Sequence, residues 1–384
     1  MNNFTYHNPT RIVFGKGSIA GLGKLVPPGK VLMTYGGGSI KKNGVYQDVK
    51  NALAGREVLE FGGIPPNPVY EGLLEAVGIV KSEKVDFLLA VGGGSVLDGT
   101  KFIACAARFE GPDPWNILAR SAPVKSAVPL GAVLTLPATG SESNGYSVIS
   151  RTSTQEKKAF GTEHAYPRFA ILDPLVTMTL PEKQVRNGIV DAFAHVMEQY
   201  ATTPAAAALQ DRQSEAILKT LIEEGPRTLQ SPKDYDARAN LMWSATQALN
   251  GLVGCGVPQD WGTHMIGHEL TALYGLDHAE TLAIVMPRLL RHQKAQKAAK
   301  LLQFARRVWG LDGGGDAGAA SEAGIVRMEE FFNSVGMPTR LSAYGIAPAE
   351  AAAKVGERFR QRKARFGQDE SLNGDDAAKI LERC

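Results

Sequence analysis

The feature that most constrains this chain is a change of pattern close to residue 180. Up to about Leu180, short β-rich runs ending in glycine alternate with helical stretches, which is how a parallel α/β sheet is written in sequence. Residues 11–14, 30–35, 58–61, 86–91, 132–136 and 169–172 read as its strands. After Pro181 the β-branched runs stop and apolar residues recur at helical spacing, as over 206–223 and 237–249. The expectation is an α/β domain over residues 1–180 and an all-helical domain over 181–384, with a cleft between them. Residues 311–318 (LDGGGDAG) read as a loop, and the charged tail from Gln361 as surface helix or a mobile segment.

Composition narrows the class. An apolar fraction of 44% with 21% charged residues is that of a globular protein. The 42 basic and 39 acidic residues are scattered, with no basic block or stripe, which excludes a nucleic-acid binder. No run of 18 apolar residues offers a membrane span, and residues 1–10 are polar, so a cytoplasmic protein is expected. Cys105, Cys255 and Cys384 are an odd set without paired spacing, which suits a reducing compartment and indicates neither a disulfide framework nor a thiolate metal site.

A half-repeat lies inside the first domain. Residues 31–40 (VLMTYGGGSI) and 88–97 (LLAVGGGSVL) share an apolar strand, Gly-Gly-Gly-Ser and a helical stretch. Glycines at a strand's carboxyl end admit a ligand close to the backbone, and the following helix aims free N–H groups at an anion. A phosphate or pyrophosphate is the natural guest for Gly37, Gly38 and Ser39 in the first copy and Gly93, Gly94 and Ser95 in the second. The dinucleotide fingerprint G-x-G-x-x-G is absent. A third polar loop, 137–143 (PATGSES), offers hydroxyls to a phosphate or ribose, or caps a helix through Ser141 or Ser143.

The histidines cluster. Of seven, His195, His264, His268 and His278 fall in the first hundred residues of the helical half. Asp191 and His195 stand at i, i+4 in GIVDAFAHVMEQY, which puts carboxylate and imidazole on one helix face, about 5 to 6 Å apart at Cβ. His264 and His268 repeat that relation in WGTHMIGHELTAL, and His278 follows a Gly275 stop signal. One carboxylate and three imidazoles suit Zn²⁺ or Fe²⁺ with room for a substrate oxygen. Spacing does not choose among the four histidines. Asp191 lies in an apolar window where an unpaired carboxylate is costly, and Asp277 is a candidate acceptor behind His278. His7 and His292, in polar surroundings, read as solvated, and His164 has no partner pattern.

With NPTRIVFGKG, GGGSVLDGTK, LTLPATGSES, GIVDAFAHVMEQY and GTHMIGHELTALYGLDHAETLAIVMP on the page, the sequence resembles the iron-containing, or group III, alcohol dehydrogenase family. Within it the resemblance is to NADPH-dependent broad-range aldehyde reductases, often called butanol dehydrogenases. It implies a dehydroquinate synthase-like architecture: an α/β NADP-binding domain, a helical metal-binding domain, an active site in the cleft and a homodimer. It places the metal ligands on Asp191, His195, His264 and His278, with His268 lining the site as a proton relay. It places the pyrophosphate on Gly93, Gly94 and Ser95, and Asp98 near nicotinamide and substrate. Thr135, Thr139 and Ser141 become a further cofactor loop, and Lys157 a contact of the nicotinamide ribose. The implied partners are NADP(H), divalent zinc or iron, and a small alcohol or aldehyde. Polyol dehydrogenases of the glycerol type and dehydroquinate-synthase-like lyases share this architecture, and an NADP-binding protein without catalysis is the alternative of another class, against which the intact Asp191 and histidine set argues.

The first loop also speaks to cofactor choice. A carboxylate after the strand facing the adenosine ribose favours a 2′-hydroxyl and repels a 2′-phosphate. Here strand 31–35 runs into Gly36, Gly37, Gly38 and Ser39 and then Lys41 and Lys42, without a carboxylate. Resemblance agrees, since family members using NAD tend to carry Asp where this chain has Gly37. NADPH is the expected cofactor.

Overall fold

The structure, a computed structural model, describes the backbone of all 384 residues and the side chains of all but Gly313. Two compact units form, one from His7–Pro181 with Ser231–Asn250, the other from Met1–Tyr6, Glu182–Gln230 and Gly251–Cys384.

The first unit is built on β1 (Arg11–Phe14), β2 (Val31–Tyr35), β3 (Val58–Phe61), β4 (Phe87–Gly93) and β5 (Leu130–Leu136), then the hairpin β6 (Tyr146–Arg151) and β7 (Glu156–Gly161), then β8 (Phe169–Leu172). Six of these make one sheet in the order β1-β8-β5-β4-β2-β3, all neighbours parallel. Alternate residues bury on opposite faces. Leu32, Leu88, Ala90, Leu134 and Leu172 enter one core, and Val31, Met33, Phe87, Leu89 and Val91 the other. Both faces are covered, which is why these strands read as continuous apolar runs. β2 and β4 are paired from Val31↔Phe87 to Tyr35↔Val91, so the two Gly-Gly-Gly-Ser loops leave the sheet side by side at its carboxyl edge.

The unit's helices are α1 (Ser39–Lys42), α2 (Val45–Ala52), α3 (Tyr70–Ser82), α4 (Gly94–Ala107) and α5 (Asn116–Ala119). There follow α6 (Glu182–Tyr200), α7 (Ala208–Gln230), α8 (Tyr235–Ala248), α9 (Gly262–Tyr274), α10 (His278–His292), α11 (Ala298–Trp309), α12 (Ala317–Ser334), α13 (Pro348–Gln361) and α14 (Gly374–Leu381). Among the described residues no helix is long and apolar enough to cross a membrane.

The observed units differ from a cut at residue 180 in two places. α8 belongs with the sheet, because Met242 is buried in the sheet's core and Thr246 Oγ1 donates to the buried Glu142 at 2.6 Å. Residues 1–6 belong with the helices, tied by the Asn2 N–H to the Gly256 carbonyl at 2.9 Å. The tail also departs from expectation. Ile380, Leu381 and Cys384 are buried in one core with α9, α10 and α13, so the charged stretch from Gln361 ends in a packed helix. His292 is half-buried against Asp376, with Nε2 3.1 Å from its carboxylate, rather than solvated.

Candidate active site

Asp191, His195, His264 and His278 each offer a ligand atom, and these atoms all lie within 4.8 Å of one another. Three helix segments supply them. α6 carries Asp191 and His195 one turn apart, in a stretch buried from Gly188 to Tyr200. α9 carries His264 in its first turn. It starts after Trp261, held at φ 62, with the Gly262 N–H donating to Asp260 at 2.8 Å. α10 begins at His278, directly after an Asp277 cap that Glu280 closes through the Asp277 N–H at 2.8 Å.

The donor set fits a divalent ion of the zinc or iron type: one oxygen, three imidazoles and no thiol. Burial, with His264 alongside, holds the His195 imidazole well below its ordinary pKa and therefore neutral, as a ligand must be. Its Nδ1 has no hydrogen-bond partner, and Asp191 Oδ1 lies 3.6 Å from both His195 Nδ1 and His278 Nε2. The four histidines thus separate in space where spacing left them equal. His268 is buried but stands outside the four, its ring 6.3 Å from that of His264 and 5.6 Å from that of His278.

Three nearby groups correct or extend what the sequence suggests. Asp277 is not behind His278: its carboxylate pairs with Lys183 at 2.9 Å and accepts from Asn187 at 3.1 Å. The carboxylate that touches a histidine of the group is Glu198, on His264 Nδ1, and burial pushes it up to about 8. Trp261 was likewise unmarked in sequence, and its ring lies edge-on to His264 at 5.2 Å.

The glycine loops of the first unit form a candidate site of their own. At Gly94, the first residue of α4, a Cβ would sit 2.5 Å from Thr139, so only glycine lets loop 137–143 pack against the β4 turn. Gly38 sits at φ 93, a left-handed conformation glycine adopts freely. At Gly37 and Gly38 a Cβ would meet nothing within 4 Å, so the backbone there is open to an approaching phosphate. Asp98, on α4, accepts from Ser141 Oγ at 2.6 Å and from the Val148 N–H at 3.0 Å. The Ser141 hydroxyl thus donates to Asp98 and helps to position it. Lys101, fully buried, donates to Ser141 Oγ at 2.8 Å, Asn144 Oδ1 at 3.1 Å and the Tyr146 carbonyl at 2.8 Å, and burial pulls it down to about 8. Thr135 is buried, Ser95 and Thr139 half-buried, and Lys157, on β7, donates to Asn67 at 2.8 Å.

Comparison with known proteins agrees with this geometry. The profile of iron-containing alcohol dehydrogenases matches residues 9–174, and that of the family's C-terminal part matches residues 186–384. The chain belongs to the iron-containing alcohol dehydrogenase family. It is thereby an oxidoreductase of alcohols and aldehydes. The NADPH-dependent aldehyde reductase YqhD of Escherichia coli is 56% identical over 100% of this chain and 99% of its own length. The crystal structure of that protein superposes with a TM-score of 0.97, at 54% identity, covering 100% and 98% of the two chains. The NADP-dependent alcohol dehydrogenase 3 of Entamoeba histolytica is 43% identical over 90% of each chain. The NADH-dependent butanol dehydrogenase A of Thermotoga maritima, 38% identical, superposes with a TM-score of 0.94 over 100% of this chain and 98% of its own. The family's C-terminal match takes in the stretch after Pro348, whose buried α14 now has a place in the fold.

Proposed function

We propose that this chain is a metal-dependent, NADPH-dependent reductase of short to medium-chain aldehydes, working reversibly on the alcohols. The observation that carries the reading is the buried Asp191, His195, His264 and His278 group in a chain 56% identical to an NADPH-dependent aldehyde reductase. When bound, a zinc or ferrous ion at this group supplies Lewis acidity to a substrate oxygen, and NADPH supplies the hydride to the carbonyl carbon. The protein's share is orientation and the proton. Gly37, Gly38, Ser39, Gly93, Gly94 and Ser95 present backbone N–H groups and hydroxyls to the cofactor's phosphates. Asp98, Thr135, Thr139 and Lys157 hold its nicotinamide end, with Ser141 fixing Asp98. His268, outside the four ligands, holds the proton that the new hydroxyl takes up. Three free, buried cysteines suit a cytoplasmic enzyme, and we take its assembly to be a homodimer, measurable by light scattering.

Substrate breadth tests the reading. Only the carbonyl has to be gripped, and each methylene of a tail in apolar surroundings discriminates by about 1 to 3 kcal/mol. A panel of linear aldehydes assayed with NADPH should show several of them reduced. A single accepted polyol, with simple aldehydes inert, would overturn the proposal.

The role of His268 is separately measurable. His268→Ala should keep stoichiometric metal while turnover falls by about 10²-fold, the lower end of what a positioned general acid contributes, with an altered pH profile. Metal analysis decides, because a lost ligand lowers metal content and a lost relay does not.

A further inference from the structure

One buried carboxylate touches a histidine of the four-residue group. Glu198 lies on α6 seven residues after Asp191 and is 3% exposed. One oxygen accepts the Thr263 N–H at 2.6 Å and the other lies on His264 Nδ1. A second buried carboxylate supports the same helix start. Asp260 accepts the Gly262 N–H at 2.8 Å and the Lys297 ammonium at 2.6 Å, and donates its own N–H to the Glu198 carbonyl at 2.9 Å. Lys297 also donates to the Ala201 carbonyl at 2.8 Å, so the first turn of α9 is strapped to the end of α6. The first N–H groups of a helix have no partner within it, and here two carboxylates take them.

We infer that Glu198 is the positioning residue of the metal centre, selecting the His264 tautomer that can bind. The inference rests on the metal reading above. With one oxygen already accepting the Thr263 N–H, the Glu198 oxygen on Nδ1 is placed to accept as well, which puts the His264 proton on Nδ1 and leaves the Nε2 lone pair for the metal. Such partners set ligand orientation and basicity, and their loss typically weakens metal binding by about 10- to 100-fold.

The rival account is that Glu198 merely caps α9, and Glu198→Gln separates the two. Glutamine has the same shape, and its amide oxygen can still accept from Thr263. Its NH₂ then faces Nδ1 as a donor, which favours the opposite tautomer, with the proton on Nε2. The experiment uses full-length, metal-free wild type and E198Q. Zinc affinity is measured by competition with a chromogenic chelator, His264 by its ¹⁵N tautomer signature, and folding by thermal melting without metal. The expected result is zinc affinity lowered about 10- to 100-fold in E198Q, a tautomer shift, and metal-free melting like wild type. Glu198→Asp, which keeps a carboxyl group, should bind zinc more tightly than E198Q. Wild-type zinc affinity in E198Q overturns the inference, as does a loss matched by an equal fall in metal-free melting. A wild type that binds no zinc overturns the metal reading, and the inference with it.

Discussion

Treating the purified protein with a strong chelator should abolish aldehyde reduction, and adding back zinc or ferrous ion should restore it. Lewis-acid stabilisation of the developing charge amounts to several kcal/mol, and each 1.4 kcal/mol is tenfold in rate, so turnover should drop by about 10³-fold or more. His264→Ala should do the same and leave substoichiometric metal, because His264 sits between the other imidazoles. Its ring lies 4.8 Å from that of His195 and 5.0 Å from that of His278. The measurement is metal content and NADPH oxidation on the same sample. Metal-free protein turning over at the wild-type rate would remove the quartet from the chemistry altogether.

How far the quartet was visible beforehand depends on what a helix repeat encodes. Asp191 and His195 are one turn apart on one helix, and that face can be read directly. Which of His264, His268 and His278 completes the group depends on how α9 and α10 pack, which spacing does not carry. Asp277 neighbours His278 in sequence, yet an N-cap residue turns its side chain to the helix start, and this one pairs with Lys183 and Asn187. Glu198 did have a signal, since it continues the Asp191 and His195 face by one further turn inside an apolar window. Lys101 had none. A lysine on an amphipathic helix reads as solvated, whereas this one is fully buried among Ser141, Asn144 and the Tyr146 carbonyl.

The sheet was legible for a different reason. Parallel strands covered on both faces leave unbroken apolar runs, and the strands β2, β4 and β8 fall within a residue or two of where such runs lie. The β6–β7 hairpin escaped because its segments, YSVISR and EKKAFG, are largely half-exposed and carry charge, and are strands chiefly through pairing with each other. α8 has clear helical periodicity, yet it packs with the sheet and not with the other helices. Periodicity marks an apolar face and says nothing about which core receives it.

Cofactor preference is where a single side chain should matter most. The named relatives divide, an NADPH-dependent aldehyde reductase on one side and an NADH-dependent butanol dehydrogenase on the other, so family membership does not decide the matter. The first glycine loop does bear on it. Gly37 is exposed, its φ lies outside the left-handed region, and a Cβ there would meet no atom within 4 Å. Aspartate therefore fits at this position without strain, and its effect is one of charge. Of the two lysines beyond the loop, Lys41 lies over the rings of Tyr35 at 4.9 Å and Tyr46 at 5.2 Å, which leaves the exposed Lys42 and Ser39 to meet a 2′-phosphate. Wild type should prefer NADPH. Juxtaposing like charges costs several kcal/mol, so Gly37→Asp should cut kcat/KM with NADPH by about 10²- to 10³-fold and change that with NADH less than tenfold. Because the loop is open to water, raising the salt concentration should shrink the discrimination. Gly38→Asp makes the contrast: at φ 93 the substitution strains the backbone, so it should depress both cofactors together. A wild type preferring NADH, or a Gly37→Asp variant that loses both cofactors equally, would show that this loop does not read the 2′-phosphate.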